Sequence, residues 1–113
     1  MWKLCIPVVL LLIWTPDTSW VEFEATAYVA KPESRTADGT LAIPSDMIMA
    51  IDPTVLEMGK SYRVRFQDRT EETYTAHDTG GLVKGRVIDL LFEDYNDAVL
   101  FGRQRVWVTE ASP

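Results

Sequence analysis

The sequence predicts a mainly β domain, closed as a small barrel of about six strands, with one short helix. Three observations carry this reading. Apolar and polar residues alternate with period two in several stretches, helical periodicity occurs once near the end, and Gly- and Pro-bearing turns separate short runs. Closure is favoured because it leaves no exposed sheet edge; an open sandwich is the structural alternative. The length of 113 residues allows one domain with one modest core.

Residues 1–20 read as a targeting segment. Lys3 precedes an unbroken apolar run over 4–14, which ends at Thr15, Pro16 and Asp17. A basic start followed by a short apolar stretch is the pattern of an export signal, and the run is shorter than the roughly 20 residues of a membrane-spanning helix. No small-residue cleavage site follows it. The alternative is a retained anchor that keeps the domain near a membrane. Export to the periplasm or cell envelope is the expected destination.

Residues 21–113 form the domain. Over 21–29, Val21, Phe23, Ala25, Ala27 and Val29 alternate with Glu22, Glu24, Thr26 and Tyr28, the pattern of a half-buried strand. Residues 31–40 are rich in Pro, Ser, Asp and Gly and form a long loop. A short apolar run over 47–51 ends at the Asp52-Pro53 turn, and Gly59 marks another turn. Residues 61–67 alternate through Tyr62, Val64 and Phe66; Asp68-Arg69 is a hairpin tip and 72–77 the returning strand. Asp78-Thr79-Gly80-Gly81 is a tight loop, and 87–92 is a buried strand holding Leu90 and Leu91. Residues 94–101 form the helix, with Asp94 as N-cap, Asp97 in its first turn, Ala98 and Phe101 on its apolar stripe, and Gly102 as its stop. Residues 104–109 are the last strand, Val106 and Val108 facing one way and Trp107 the other.

Charge and composition exclude several functions. Eleven Lys and Arg face seventeen Asp and Glu, a net charge of −6, which opposes binding to nucleic acid or to anionic lipid by simple attraction. A lone cysteine, Cys5, and a lone histidine, His77, leave neither an internal disulfide nor a Cys- or His-rich metal site. No metal and no cofactor are expected. Phosphate-loop, GxSxG and EF-hand patterns do not occur. His77 and Asp78 are adjacent on a strand and so point to opposite faces, which argues against their acting as a dyad; His77 reads as a solvent-facing or packing residue.

Three aspartates lie at or inside apolar stretches: Asp52 after Met-Ala-Ile, Asp78 before Gly80-Gly81, and Asp89 between Ile88 and Leu90. A carboxylate within a buried strand is costly unless paired or hydrogen-bonded, and burial favours its protonated form. A carboxyl protonated at neutral pH suits a glycosidic general acid. Aspartates beside turns equally serve as acceptors for loop N–H groups, and alternation does not say which face Asp89 occupies.

The segment Tyr74 to Leu90, with DTGG at Asp78–Gly81, Lys84-Gly85 and Asp89, resembles the 3D domain family, named for three aspartates. Ala25-Thr26-Ala27-Tyr28, Thr36-Ala37-Asp38-Gly39 and Met49-Ala50-Ile51-Asp52-Pro53 extend the resemblance over about residues 24–108. The chain departs from the family at Leu56 to Lys60, at Met47 and at Leu82-Val83, in barrel and loop positions. The family is similar to the catalytic barrel of membrane-bound lytic transglycosylase A. The resemblance implies a six-stranded double-psi β-barrel in which Asp52, Asp78 and Asp89 meet at one groove. It implies cleavage of peptidoglycan glycan strands between N-acetylmuramic acid and N-acetylglucosamine, giving a 1,6-anhydro end, with Asp89 as acid and base. Thr36, Gly39, Thr79, Gly80, Gly81 and Lys84 are then candidate substrate contacts. A barrel that binds glycan without turnover is the alternative, and hydrolysis is a further one.

Overall fold

The computed structural model describes residues 19–112; the apolar run over 4–14 lies outside the described residues. Six strands form a closed barrel: β1 (Val21–Val29), β2 (Ile48–Ala50), β3 (Ser61–Arg65), β4 (Glu71–Asp78), β5 (Val87–Phe92) and β6 (Gln104–Glu110). One α-helix, α1 (Tyr95–Phe101), lies between β5 and β6. Around the barrel the order is β1-β5-β2-β4-β3-β6, closing on β1. The β1–β5 and β2–β4 pairs are parallel and the other four antiparallel. Parallel neighbours need long crossovers, which is why strands adjacent in sequence sit apart in the barrel, the β3–β4 hairpin excepted.

The core follows the alternation. Phe23 and Ala25 of β1, Met49 of β2, Tyr62 and Val64 of β3, Tyr74 and Ala76 of β4, Ile88 and Leu90 of β5, and Val106 and Val108 of β6 fill the interior. Val21 and Val29, at the two ends of β1, run past the interior and are exposed. Leu91 is buried although its neighbour Leu90 points inward, because α1 packs on β1 and β5 from outside. Thus β5 is apolar on both faces, and Asp89 and Leu91 share the outer one.

Local chemistry sets the boundaries. Asp94 caps α1 by accepting the Asn96 N–H at 3.2 Å, and Gly102, at φ 63°, ends the helix with its N–H on the Ala98 carbonyl. The β3–β4 hairpin turns at Asp68-Arg69; Asp68 accepts from the Thr70 hydroxyl at 2.6 Å, and Arg69 takes φ 74°. A 3₁₀ turn at Pro44–Asp46, which periodicity does not reveal, delivers the chain into β2 through Met47 at φ 54°. On the outer wall Glu71 bridges Arg63 and Arg65, and both guanidiniums lie over the Trp20 ring, at 5.0 and 4.0 Å. None of the described helices is long and apolar enough to cross a membrane.

Leu90 has no exposure and Leu100 is 83% exposed, so two leucine truncations should separate. Leu90→Ala is expected to lower unfolding free energy by about 2–5 kcal/mol. Leu100→Ala should stay within about 0.5 kcal/mol of wild type. Urea unfolding of both variants checks this.

Candidate active site

The barrel register assembles the site. Thr26 of β1 is level with Asp89 of β5, and Asp89 is level with Ala50 of β2. Ala50 is in turn level with Asp78 of β4. Thr26, Asp89, Ala50 and Asp78 therefore form one row across four strands. Met49 and Ile51, which flank Ala50, belong to the interior, so the row lies on the outer wall. Asp78 reaches that wall only because the β2–β4 register shifts between Met49 and Ala50: Met49 faces Ala76, but Ala50 faces Asp78. The extra residue on β4, His77, makes a β-bulge. Without it Asp78 would share the inward parity of Ala76.

Each carboxylate has a distinct environment. The Thr26 hydroxyl donates to Asp89 Oδ1 at 2.8 Å. Burial pushes the Asp89 carboxyl above the usual aspartate range, against the Thr26 hydrogen bond; the neighbouring Asp78 raises it further and Arg103 lowers it. Asp78 Oδ2 accepts from the Tyr28 hydroxyl at 2.9 Å, across β5 and β2. Asp78 Oδ1 accepts from the backbone N–H of Ala37 at 2.9 Å and of Thr79 at 3.0 Å. Burial, the bond to Asp78 and the negative charge of both aspartates keep the Tyr28 phenol protonated far above its ordinary range. Ala50, which stands between the two acids in the row, is buried.

Asp52 stands two residues beyond Ala50 and is tied elsewhere. Its Oδ2 accepts from Gly85 N–H at 2.7 Å, and Oδ1 from the Thr54 N–H at 2.9 Å and hydroxyl at 2.8 Å. These bonds, led by that from Gly85, together with the charge of Lys84, hold its pKa at about 2. Asp52 is a fixed anion that staples the 52–55 turn to the loop over 79–85.

The expected substrate contacts fall into two loops. Thr36 is buried, its hydroxyl donating to Asp38 Oδ1 at 2.9 Å, and Gly39 makes the tight return of that loop at φ 89°. Thr79 and Gly80 follow Asp78 directly, and a side chain on Gly80 would meet Val83 at 3.0 Å. Gly81 and Lys84 are exposed on the same loop. Sequence reasoning did not single out Thr26 and Tyr28; the available signal was two hydroxyls on the outward side of β1, where Glu22 and Glu24 stand earlier. It also missed the partner of His77, which is Asp38 rather than Asp78.

Cavities border the row rather than enclose it. A cleft of about 200 Å³ between α1 and β1 shares Thr26 and Tyr28 with the acids, and Tyr95 and Val99 form its apolar side. A larger open cleft of about 690 Å³, lined by Val21, Leu56, Lys60 and Tyr62 among others, holds none of the three aspartates. Neither cleft is lined by Asp78 or Asp89; what marks the row is its convergent carboxyl and hydroxyl groups. Among the described residues no group of three His, Cys, Asp or Glu is placed to hold a metal ion.

A profile of the 3D domain matches residues 47–110, more than half of the chain. The chain belongs to the 3D domain family. This 3D domain is 36% identical over 62 residues to the SPbeta prophage-derived uncharacterized protein YorM of Bacillus subtilis (strain 168), covering 55% of the chain and 26% of that protein. The chain thus spans about a quarter of the length of that curated relative. Among solved structures, the fold resembles a mutant Clavibacter michiganensis expansin in complex with cellohexaose, with TM-score 0.60 and 12% identity over 82% of this chain and 50% of that one. It also resembles MltA from E. coli, with TM-score 0.57 and 16% identity over 74% of this chain and 29% of that one.

The Asp52 staple has a pH signature. A carboxyl whose folded pKa, about 2, lies below its ordinary 3.8 stabilises the fold above pH 4, and that contribution fades as pH falls towards 2. Asp52→Asn is expected to be less stable than wild type at neutral pH and to lose less stability across that acid window. Urea midpoints measured through the window check this.

Proposed function

We propose that this 3D domain is a lytic transglycosylase acting on the glycan strands of peptidoglycan. The observation that carries the reading is Asp89: a half-buried carboxyl, held by Thr26 and standing in one row with a second acid on the barrel wall. Burial and the nearby negative charge favour its protonated form, which a general acid for glycoside cleavage needs. Family membership and the sequence resemblance to a transglycosylase barrel support the same reading.

The reaction runs as follows. Asp89 gives its proton to the oxygen bridging N-acetylmuramic acid and N-acetylglucosamine. The bond from that oxygen to the muramic acid C1 breaks, and positive charge develops at C1. The muramic acid C6 hydroxyl attacks C1 and returns its proton to Asp89, closing the 1,6-anhydro ring. No water is consumed, so one carboxyl serves both steps; a hydrolase would need a second carboxyl to activate water or to attack C1. Asp78 sits beside Asp89 and stabilises the developing positive charge, Tyr28 orients Asp78, and Asp52 holds the 79–85 loop. Thr36 and Gly39 shape the strap beside Asp78. Thr79, Gly80, Gly81 and Lys84 line the approach on the other loop. Tyr95 and Val99, 70% and 59% exposed, offer apolar surface for the C–H faces of a sugar. The apolar run over 4–14 would deliver the domain to the envelope, where the polymer lies.

A second reading is a barrel that binds glycan without cleaving it. The fold's likeness to an expansin solved with cellohexaose favours it.

Digestion of purified peptidoglycan with mass analysis of the muropeptides separates the readings. The transglycosylase gives anhydro ends, a hydrolase gives ends that have gained water, and a binding barrel gives neither. Asp89→Asn is expected to reduce turnover by at least about 10²-fold while retaining glycan binding. Because the first step needs protonated Asp89, wild-type rate should fall as pH rises through its elevated pKa. Undiminished anhydro product from Asp89→Asn would rule the mechanism out.

A further inference from the structure

The bulge that turns Asp78 outward is itself fastened. His77, its extra residue, lies with Nδ1 at 2.6 Å from Asp38 Oδ2, and the Thr40 hydroxyl is 3.4 Å from the same nitrogen. The Asp38 N–H donates back to the His77 carbonyl at 3.2 Å. Asp38 is held in turn: its Oδ1 accepts from the Thr36 hydroxyl at 2.9 Å and the Thr40 N–H at 3.1 Å. One residue earlier, the Ala37 N–H reaches Asp78 Oδ1. A short strap over 36–40 thus grips both the bulged residue and the carboxylate that the bulge aims. On the other side of the bulge, Ile51 N–H donates to the Asp78 carbonyl at 3.0 Å and fixes the shifted register.

A bulge leaves its extra residue outside the ladder, so contacts beyond the ladder must hold that residue in place. A regular register would return Asp78 towards the interior and remove it from Asp89. We propose that the Asp38–His77 pair is a positioning device: it locks the β4 bulge and so fixes the Asp78 carboxylate beside Asp89. Its meaning for turnover rests on the transglycosylase reading; its effect on the geometry of the two acids does not.

The groups facing Asp89 are Thr26 and Tyr28 of β1, Asp78 of β4 and Arg103 beyond α1. Only the Asp78 contribution depends on the strap. The test follows the carboxyl carbons of ¹³C-labelled aspartates by NMR across pH in wild type, Asp38→Asn and Asp38→Ala. Asp38→Ala removes the acceptor for His77 and is expected to lower the Asp89 midpoint, which stays above the ordinary value because burial remains. Amide exchange at Ile51 should quicken in the same variant. Asp38→Asn keeps the Oδ1 acceptor and can donate to an imidazole nitrogen, so it should restore most of the wild-type midpoint. In the peptidoglycan assay Asp38→Ala should lose on the order of 10- to 100-fold in kcat with KM little changed. A folded Asp38→Ala protein whose Asp89 midpoint and Ile51 exchange match wild type would overturn the proposal. If wild type releases no anhydro product, the transglycosylase reading fails, while the titration and exchange still decide whether the pair locks the bulge.

Discussion

A three-residue strand sets the geometry on which the chemistry rests. Ile48–Ala50 is hydrogen-bonded between β5 and β4, and its last residue is level with both Asp89 and Asp78. Closing the barrel through so short a strand leaves two acids one strand apart, on a wall that solvent only partly reaches. Two like charges there repel and are poorly hydrated. The arrangement is relieved by hydroxyl donors, Thr26 to Asp89 and Tyr28 to Asp78, and the Asp89 carboxyl is pushed above its usual range. Burial, with the charge of Asp78 added to it, is thus what favours the protonated form of Asp89.

The three aspartates that look equivalent in the chain do different work because their donors differ. Asp52 receives backbone N–H groups from two segments and stays ionised, fastening a loop. Asp78 receives a phenol and two backbone N–H groups, and faces its neighbour across Ala50. Asp89 receives one hydroxyl and is half-buried. Residue type alone separates none of these roles; the count and kind of donors separates all three.

Much of this was legible in the chain. Period-two alternation gave β1 its observed bounds and an apolar run gave β5 its own, Gly102 stopped α1, and the spacing of Asp78, Gly80, Gly81, Lys84 and Asp89 marked the family. Other features were hidden for physical reasons. Ile88, Leu90 and Leu91 are all buried, one set in the core and one under α1, so β5 carries no signal for the side on which Asp89 stands. The bulge at His77 leaves no trace in an alternating strand, because it depends on the register with β2. The expected alternation of His77 and Asp78 is interrupted by the bulge between them, and the partner of His77 lies in a loop 39 residues upstream. Thr26 and Tyr28 were visible as polar positions on β1, and only the barrel shows which acids they meet.

The most direct test of the central claim is a crystal structure of the Asp89→Asn protein with a peptidoglycan oligosaccharide. The account predicts that the sugar chain crosses the row of Thr26, Asp89, Ala50 and Asp78, with the bridging oxygen in hydrogen-bonding range of the side chain at position 89. A saccharide seated in the cleft of Val21, Leu56, Lys60 and Tyr62, with the row left to solvent, would contradict it.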